Sequence, residues 1–321
     1  MTDGYSKRES EPEFHRMTLE GLAGELGIPL SPLARTEWFD GEDLLQYRVP
    51  QKDERDKVLL EVIQHIHNDQ LQRSGAARID AWRKGWGEIM EAVESGEFSY
   101  ESFCPQYFKL DAVRFHGDYA LFKDRLFEFA LCHCVKSVLY ANYIQDGDRI
   151  VDLGTGSAAN IYLLLKLFPN SQVVGSDWAE PSVQLVDLIS KTFGNRAKGA
   201  RFDMLSLEGG DDLGPLDESV VLSVHSFEQL GAQWGPVLDM LLEKKPKLCI
   251  QIEPVLENYG DNDLLDTLAQ LYHSKRGYLE GYKSELLKLK DAGQIEILDD
   301  RKLQLGTMLH DPYSILVWRP L

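Results

Sequence analysis

Residues Asp148 to Leu165 read DRIVDLGTGSAANIYLLL, a short apolar run, a turn holding Gly154 and Gly156, and a second apolar run at helix spacing. A strand that feeds a glycine turn and then a helix gathers backbone N–H groups at one end of a sheet, where ligands bind. Which ligand decides the function. Gly154, Gly156 and Ala159 satisfy the G-x-G-x-x-A form of the dinucleotide fingerprint, so a nicotinamide dehydrogenase is one reading. Asp152 argues against it, because a carboxylate at the strand end suits a cationic ligand group and is awkward beside a pyrophosphate.

Downstream, QVVGSD, ARFDM, SVVLSVH and KLCIQIEP read as further strands, each followed by a segment able to form a helix. That alternation implies a parallel sheet with crossover helices. The rhythm breaks near the end of the chain, where GQIEILDDRKLQLGTM and YSILVWRP follow each other without a helix. They are expected to form an antiparallel hairpin on the sheet, whereas a dinucleotide fold continues with parallel strands.

Upstream, Val58, Leu59, Val62, Ile63 and Ile66 recur at helix spacing, and DAWRKGWGEIMEAV puts Trp82, Trp86, Ile89 and Val93 along one stripe. A third helix is expected over Leu121 to Tyr143, carrying Leu126, Phe129, Ala130 and Val138. The chain therefore divides into a disordered tail over residues 1–20, an all-helical N-terminal domain over 21–145, and an α/β domain over 146–321.

The chain has 321 residues, 43% of them apolar, and a formal charge of -18. It can fill a real core, and its surface repels phosphate backbones and anionic lipid heads. A small-molecule partner is expected, with neither nucleic acid nor membrane. The opening MTDGYSKRESEPEFHR lacks an apolar targeting segment, and no run of about 18 apolar residues occurs, so a cytoplasmic location is expected. Cys132 and Cys134 lie about 200° apart around a helix and are read as helix thiols; no metal site is assigned. The oligomeric state is left open, a homodimer among the options.

From Asp146 to Pro320 the chain resembles the class I S-adenosylmethionine (SAM) dependent methyltransferases. VDLGTGSA looks like that superfamily's first motif, with Asp152, Gly154 and Gly156 in order and Ala158 where many members have a third glycine. The resemblance implies a Rossmann-like, seven-stranded α/β sheet with SAM as cofactor. It implies that Asp177 accepts from the ribose hydroxyls, that Trp178 lies against the adenine, and that Asp203 and Met204 hold the adenine end. It also implies that VLSVHSFEQLG ends where the methyl group is presented.

Methyl transfer from a sulfonium is downhill, so the protein must align donor and acceptor and, for a hydroxyl acceptor, remove a proton. His225 and Glu228 after the fourth strand, and Glu253 after the fifth, are the candidate bases. The helical N-terminal domain is expected to act as a lid, with one or two of Trp82, Trp86, Tyr107 and Phe115 reaching the ligand. In LYHSKRGYLEGYKSELLKLK, cations alternate with tyrosines, and Arg276 and Tyr272 are candidates for holding an anionic group on the acceptor. A solvated helix, its charges balanced by Glu280, Glu285 and Asp291, is the plain alternative. The expected activity is methylation of an oxygen or nitrogen on a small polar metabolite, a sugar or a natural-product intermediate. The rivals are an enzyme using the same cofactor for aminopropyl transfer or cyclisation with release of methylthioadenosine, and a non-catalytic SAM-fold partner.

Overall fold

The structure is a computed structural model, and it describes residues 13–37, 43–95, 100–108 and 110–321. The first twelve residues of the expected tail lie outside the described residues. The rest of that stretch is folded: β1 (His15–Arg16) precedes α1 (Leu19–Leu26). The Thr18 hydroxyl caps α1 by accepting from the Gly21 N–H at 3.0 Å, and Gly27 closes it in the left-handed region.

There follow α2 (Pro32–Arg35), β2 (Gln46–Arg48), α3 (Lys52–His67) and α4 (Ile79–Glu94). Then come β3 (Val113–Phe115), β4 (Asp118–Phe122) and α5 (Phe127–Tyr143). The N-terminal part is thus not all-helical. In VRFHGDYALF the two residues between the strands, His116 and Gly117, both adopt positive φ, 53° and 79°. A two-residue turn of this hand matches strand twist and closes an antiparallel pair, with Phe115 opposite Asp118. Leu121 and Phe122, read as the start of a helix, belong to β4. The helix begins later because the Asp124 carboxylate accepts from the Leu126 N–H at 2.8 Å and ends the preceding turn. From Phe127 to Tyr140 every residue of α5 is buried, so the helix is enclosed on all sides.

The α/β part runs β5 (Arg149–Leu153), α6 (Ala159–Leu167), β6 (Gln172–Asp177), α7 (Glu180–Thr192), β7 (Ala197–Arg201) and β8 (Ser219–Val224). It continues with α8 (Gly235–Lys244), β9 (Leu248–Glu253), α9 (Leu264–Arg276), α10 (Tyr282–Asp291), β10 (Ile295–Lys302), β11 (Leu305–Thr307) and β12 (Ser314–Pro320). Seven strands form one sheet in the order β10-β12-β9-β8-β5-β6-β7. Strands β5 to β9 pair in parallel, and β12 lies antiparallel to both β9 and β10. This is the sheet the resemblance implies.

The terminal pair is more than a hairpin. Between β10 and β12 the chain leaves the sheet, and β11 pairs with β3, completing a second sheet in the order β1-β2-β4-β3-β11. One apolar core, from Leu22 and Phe127 through Ile150 to Ile250, joins the N-terminal part to one face of the large sheet. Chain order reverses between β5 and β8, and the crevice at a switch point of this kind is where open α/β sheets bind ligands.

Candidate active site

The turn after β5 has no room for a side chain at its two glycines. Gly154 has φ of 78°, and a Cβ there would stand 2.4 Å from the Ser226 Cβ. Ser226 cannot retreat, because its hydroxyl donates to the Leu153 carbonyl at 2.6 Å. Gly156, with φ of 53°, lies beneath Trp86 of α4, whose ring would come within 3.1 Å of an added Cβ. Ala158, where many superfamily members carry glycine, also adopts the left-handed conformation, at φ 57°.

A cavity of about 380 Å³ opens over this turn. Asp152, Asp177, Trp178, Asp203, Met204, His225, Glu228, Tyr272 and Arg276 all line it together with both glycines. The structure therefore brings together every expected site residue but Glu253.

Asp152 is buried at the foot of the turn. Its Oδ1 accepts from the Asn160 amide at 2.9 Å, and its Oδ2 has no partner. Burial raises this carboxyl to about 6. Lys136, buried on α5, lines the same cavity, and its charge acts on Asp152 in the opposite sense. Asp177 is likewise raised by burial to about 6, although it accepts from the Gly156 and Ala179 N–H groups, each at 2.9 Å. Two of its lone pairs are thereby used and the others remain. Asp203 builds its own turn, accepting from the Leu205 N–H at 2.9 Å and the Ser206 hydroxyl at 3.0 Å.

His225 has a positive φ of 54°. The residue is half-buried, its ring lies beside Tyr313, its Nε2 is buried with no partner, and the Pro312 carbonyl is within reach of the ring. Burial, then the charge of Lys136, lowers it to about 3, so the imidazole is neutral at neutral pH. Burial and the neighbouring Glu253 raise Glu228 to about 8, and Glu228 accepts from the Gln229 amide at 2.7 Å. Glu253 does not reach the cavity, which corrects its reading as a base. Its two oxygens accept from the N–H groups of Ser226, Phe227 and Glu228, each at 3.1 Å, so it shapes the loop that carries His225 and Glu228. A strand-end acid can as readily hold a neighbouring loop as face a ligand.

Tyr272 and Arg276, at the end of α9, are buried rather than on a solvated face. Trp82, Trp86 and Tyr107 line the cavity, while Phe115 packs on Tyr47 instead. Several lining residues carried no local signal in the sequence. Glu128 and Lys136 lie on a helix whose pattern reads as core, Arg78 just precedes α4, and His310 belongs to the link after β11. Glu128 is raised by burial to about 8, and its Oε2 has no partner. Burial and its neighbour His273, whose ring lies 2.8 Å away, keep His310 well below the usual imidazole range. Among the described residues no three His, Cys, Asp or Glu side chains converge as a metal-ligand group.

No family model matches the chain, and no curated protein matches it. Among solved structures, a SAM-dependent methyltransferase from Aquifex aeolicus is 14% identical, with 58% of this chain and 89% of that chain covered and a TM-score of 0.41. The pyocyanin biosynthetic protein PhzM is 16% identical over 87% of this chain and 75% of that chain, with a TM-score of 0.43. The [4+2]-cyclase SpnF is 16% identical over 55% of this chain and 76% of that chain, with a TM-score of 0.40. Likenesses this distant carry no argument about the chemistry of this chain.

Proposed function

We propose that this chain is a SAM-dependent methyltransferase acting on an oxygen or nitrogen of a small polar acceptor. The observation that carries the reading is the unpartnered Asp152 Oδ2, buried at the end of β5 over a glycine turn that shares its cavity with Lys136. A dinucleotide pyrophosphate would meet a carboxylate there, whereas Asp152 would hold the ammonium and Lys136 the carboxylate at the zwitterionic end of SAM. Asp177, with lone pairs to spare, would take the ribose hydroxyls, and Trp178, Asp203 and Met204 would form the adenine end. When bound, SAM supplies an electrophilic methyl carbon.

The chain's own contribution is orientation, exclusion of water and one proton. Trp86 lies over the turn at Gly156, and with Trp82 and Tyr107 it would shield a bound ligand from water. His225, neutral and lining the cavity with an Nε2 that no protein group occupies, would take the acceptor's proton at that atom. A negative charge brought in beside it would raise its basicity from the value that burial and Lys136 depress.

The test is mass spectrometry of the products formed from SAM and pooled metabolites, with calorimetric titration of S-adenosylhomocysteine. S-adenosylhomocysteine as by-product is expected; methylthioadenosine in its place, or preferential binding of a nicotinamide dinucleotide, overturns the reading. Asp152→Asn should weaken S-adenosylhomocysteine about ten-fold or more, since that molecule keeps the ammonium though not the sulfonium. His225→Ala should lower turnover about 100-fold while leaving that binding unchanged.

A further inference from the structure

Two guanidinium groups in this cavity have no carboxylate partner among the described residues. Arg276 is only 4% exposed; one of its terminal nitrogens donates to the Gln72 carbonyl, and its Nε is buried with no partner. Its guanidinium lies 5.1 Å from the centre of the Tyr278 ring. The Arg78 guanidinium lies 4.1 Å from the centre of the Trp82 ring and makes no hydrogen bond to any described residue; only the backbone N–H of Arg78 is used, donating to the Gly75 carbonyl at 3.0 Å. The two cations are close enough to oppose each other, and burial together with Arg276 pulls Arg78 below the usual guanidinium range. A buried and a half-buried cation in one cavity, with no carboxylate partner, are costly unless an opposite charge joins them.

The walls around the pair are flat. Tyr272 and Tyr278 meet edge to face at 5.8 Å, His310 lies against Tyr278 at 5.7 Å and 28°, and Trp82 stacks on Trp86 at 5.2 Å and 10°. Faces of this kind favour a planar body over a puckered ring. We propose that the acceptor is a planar anion, an aromatic ring bearing a carboxylate or a phosphate, gripped at its charged end by Arg78 and Arg276. The two sources share one chemistry, since a guanidinium fork matches the oxygens of either group. The proposal rests on the cavity being the acceptor site of the reading above.

The experiment is calorimetric titration of the full-length protein with benzoate, phenyl phosphate and benzamide, with and without saturating S-adenosylhomocysteine. At least one of the two anions should bind, at least ten-fold more tightly than the isosteric neutral benzamide, and which anion binds separates carboxylate from phosphate. Arg78→Gln and Arg276→Gln should each weaken that anion ten-fold or more, and Arg276→Lys should restore part of the loss. Arg78→Gln is the decisive variant, because the Arg78 guanidinium makes no hydrogen bond to a described residue and gives up only its contact with the Trp82 ring, whereas Arg276 also holds Gln72. S-adenosylhomocysteine binding by the same variants reports an intact fold. Benzamide binding as tightly as the anions, neither anion binding, or anion affinity unchanged in Arg78→Gln would each overturn the proposal. Anion binding by a protein that does not bind S-adenosylhomocysteine would instead overturn the cofactor reading and leave the planar-anion site standing.

Discussion

Glu228 faces Arg78 and Arg276 across the cavity, yet burial and the nearby Glu253 outweigh both cations and lift its carboxyl to about 8. At neutral pH it is mainly protonated and acts as a donor or a neutral wall, and the two arginines keep their excess charge. The shift also fixes a sign. Between the ordinary glutamate range and pH 8 the native state holds a proton that the unfolded chain has lost, so stability falls as pH rises through that window. Glu228→Gln removes the titrating group while keeping its shape. Urea unfolding from pH 5 to pH 9 should show the parent losing on the order of 2 kcal/mol more than the variant. Parallel pH profiles for the two proteins would mean that Glu228 is ionised in the fold. Glu253 is the instructive neighbour, since three backbone N–H groups occupy it. It acts on chemistry only through the shape of the loop.

At the scale of elements, the site is a strand-turn-helix unit covered by one helix. The turn is intolerant because Gly154 combines a left-handed φ with a 2.4 Å approach to Ser226. Gly154→Ala should cost about 3 kcal/mol or more, from backbone strain and overpacking together, and should abolish S-adenosylhomocysteine binding. The covering helix α4 contains the opposite case. Gly85 and Gly87 have ordinary helical backbones, and an added Cβ at either meets nothing within 4 Å. Gly85→Ala should therefore stabilise the protein by roughly 0.5 to 1 kcal/mol, read from the same urea curves. A loss of stability there would show that α4 meets something in the folded chain that these contacts omit.

For the molecule as a whole, the two parts of the chain share one core, and the C-terminal part supplies a strand to the N-terminal sheet. Helix α5 is buried along nearly all its length, and β11, from the far end of the chain, completes the sheet of the N-terminal part. A fragment spanning 146–321 would expose the sheet face that α5 covers and leave β11 without its partner. Its thermal unfolding, followed by near-UV circular dichroism, should show no cooperative transition, whereas the full chain should melt in one step. A sharp melt from the fragment would restore the picture of an independent catalytic domain with a detachable lid.

What was legible in the sequence is what depends on neighbours along the chain. The strand alternation, the glycines whose φ the turn demands, and the carboxylates at the ends of β5 and β6 are local signals, and the large sheet follows from them. The helices over Lys52–His67 and Ile79–Glu94 were legible for the same reason, as apolar stripes at helical spacing. Tertiary structure decided the rest, because it depends on which distant segments meet. An acid on a strand end is written the same way whether it lines a cavity with one oxygen unpartnered, as Asp152 does, or holds a loop, as Glu253 does. The β3–β4 pair escaped notice because its turn uses His116 in a conformation that sequence leads one to expect of Gly or Asn. Lys136 and Glu128 sit in a helix that reads as core, and they are core except where the cavity reaches them. Arg78 and Arg276 stand far apart in the chain, and only the seating of the segment before α4 on the end of α9, where the Ser74 N–H donates to the Arg276 carbonyl at 2.7 Å, places in one cavity two guanidiniums with no carboxylate partner among the described residues.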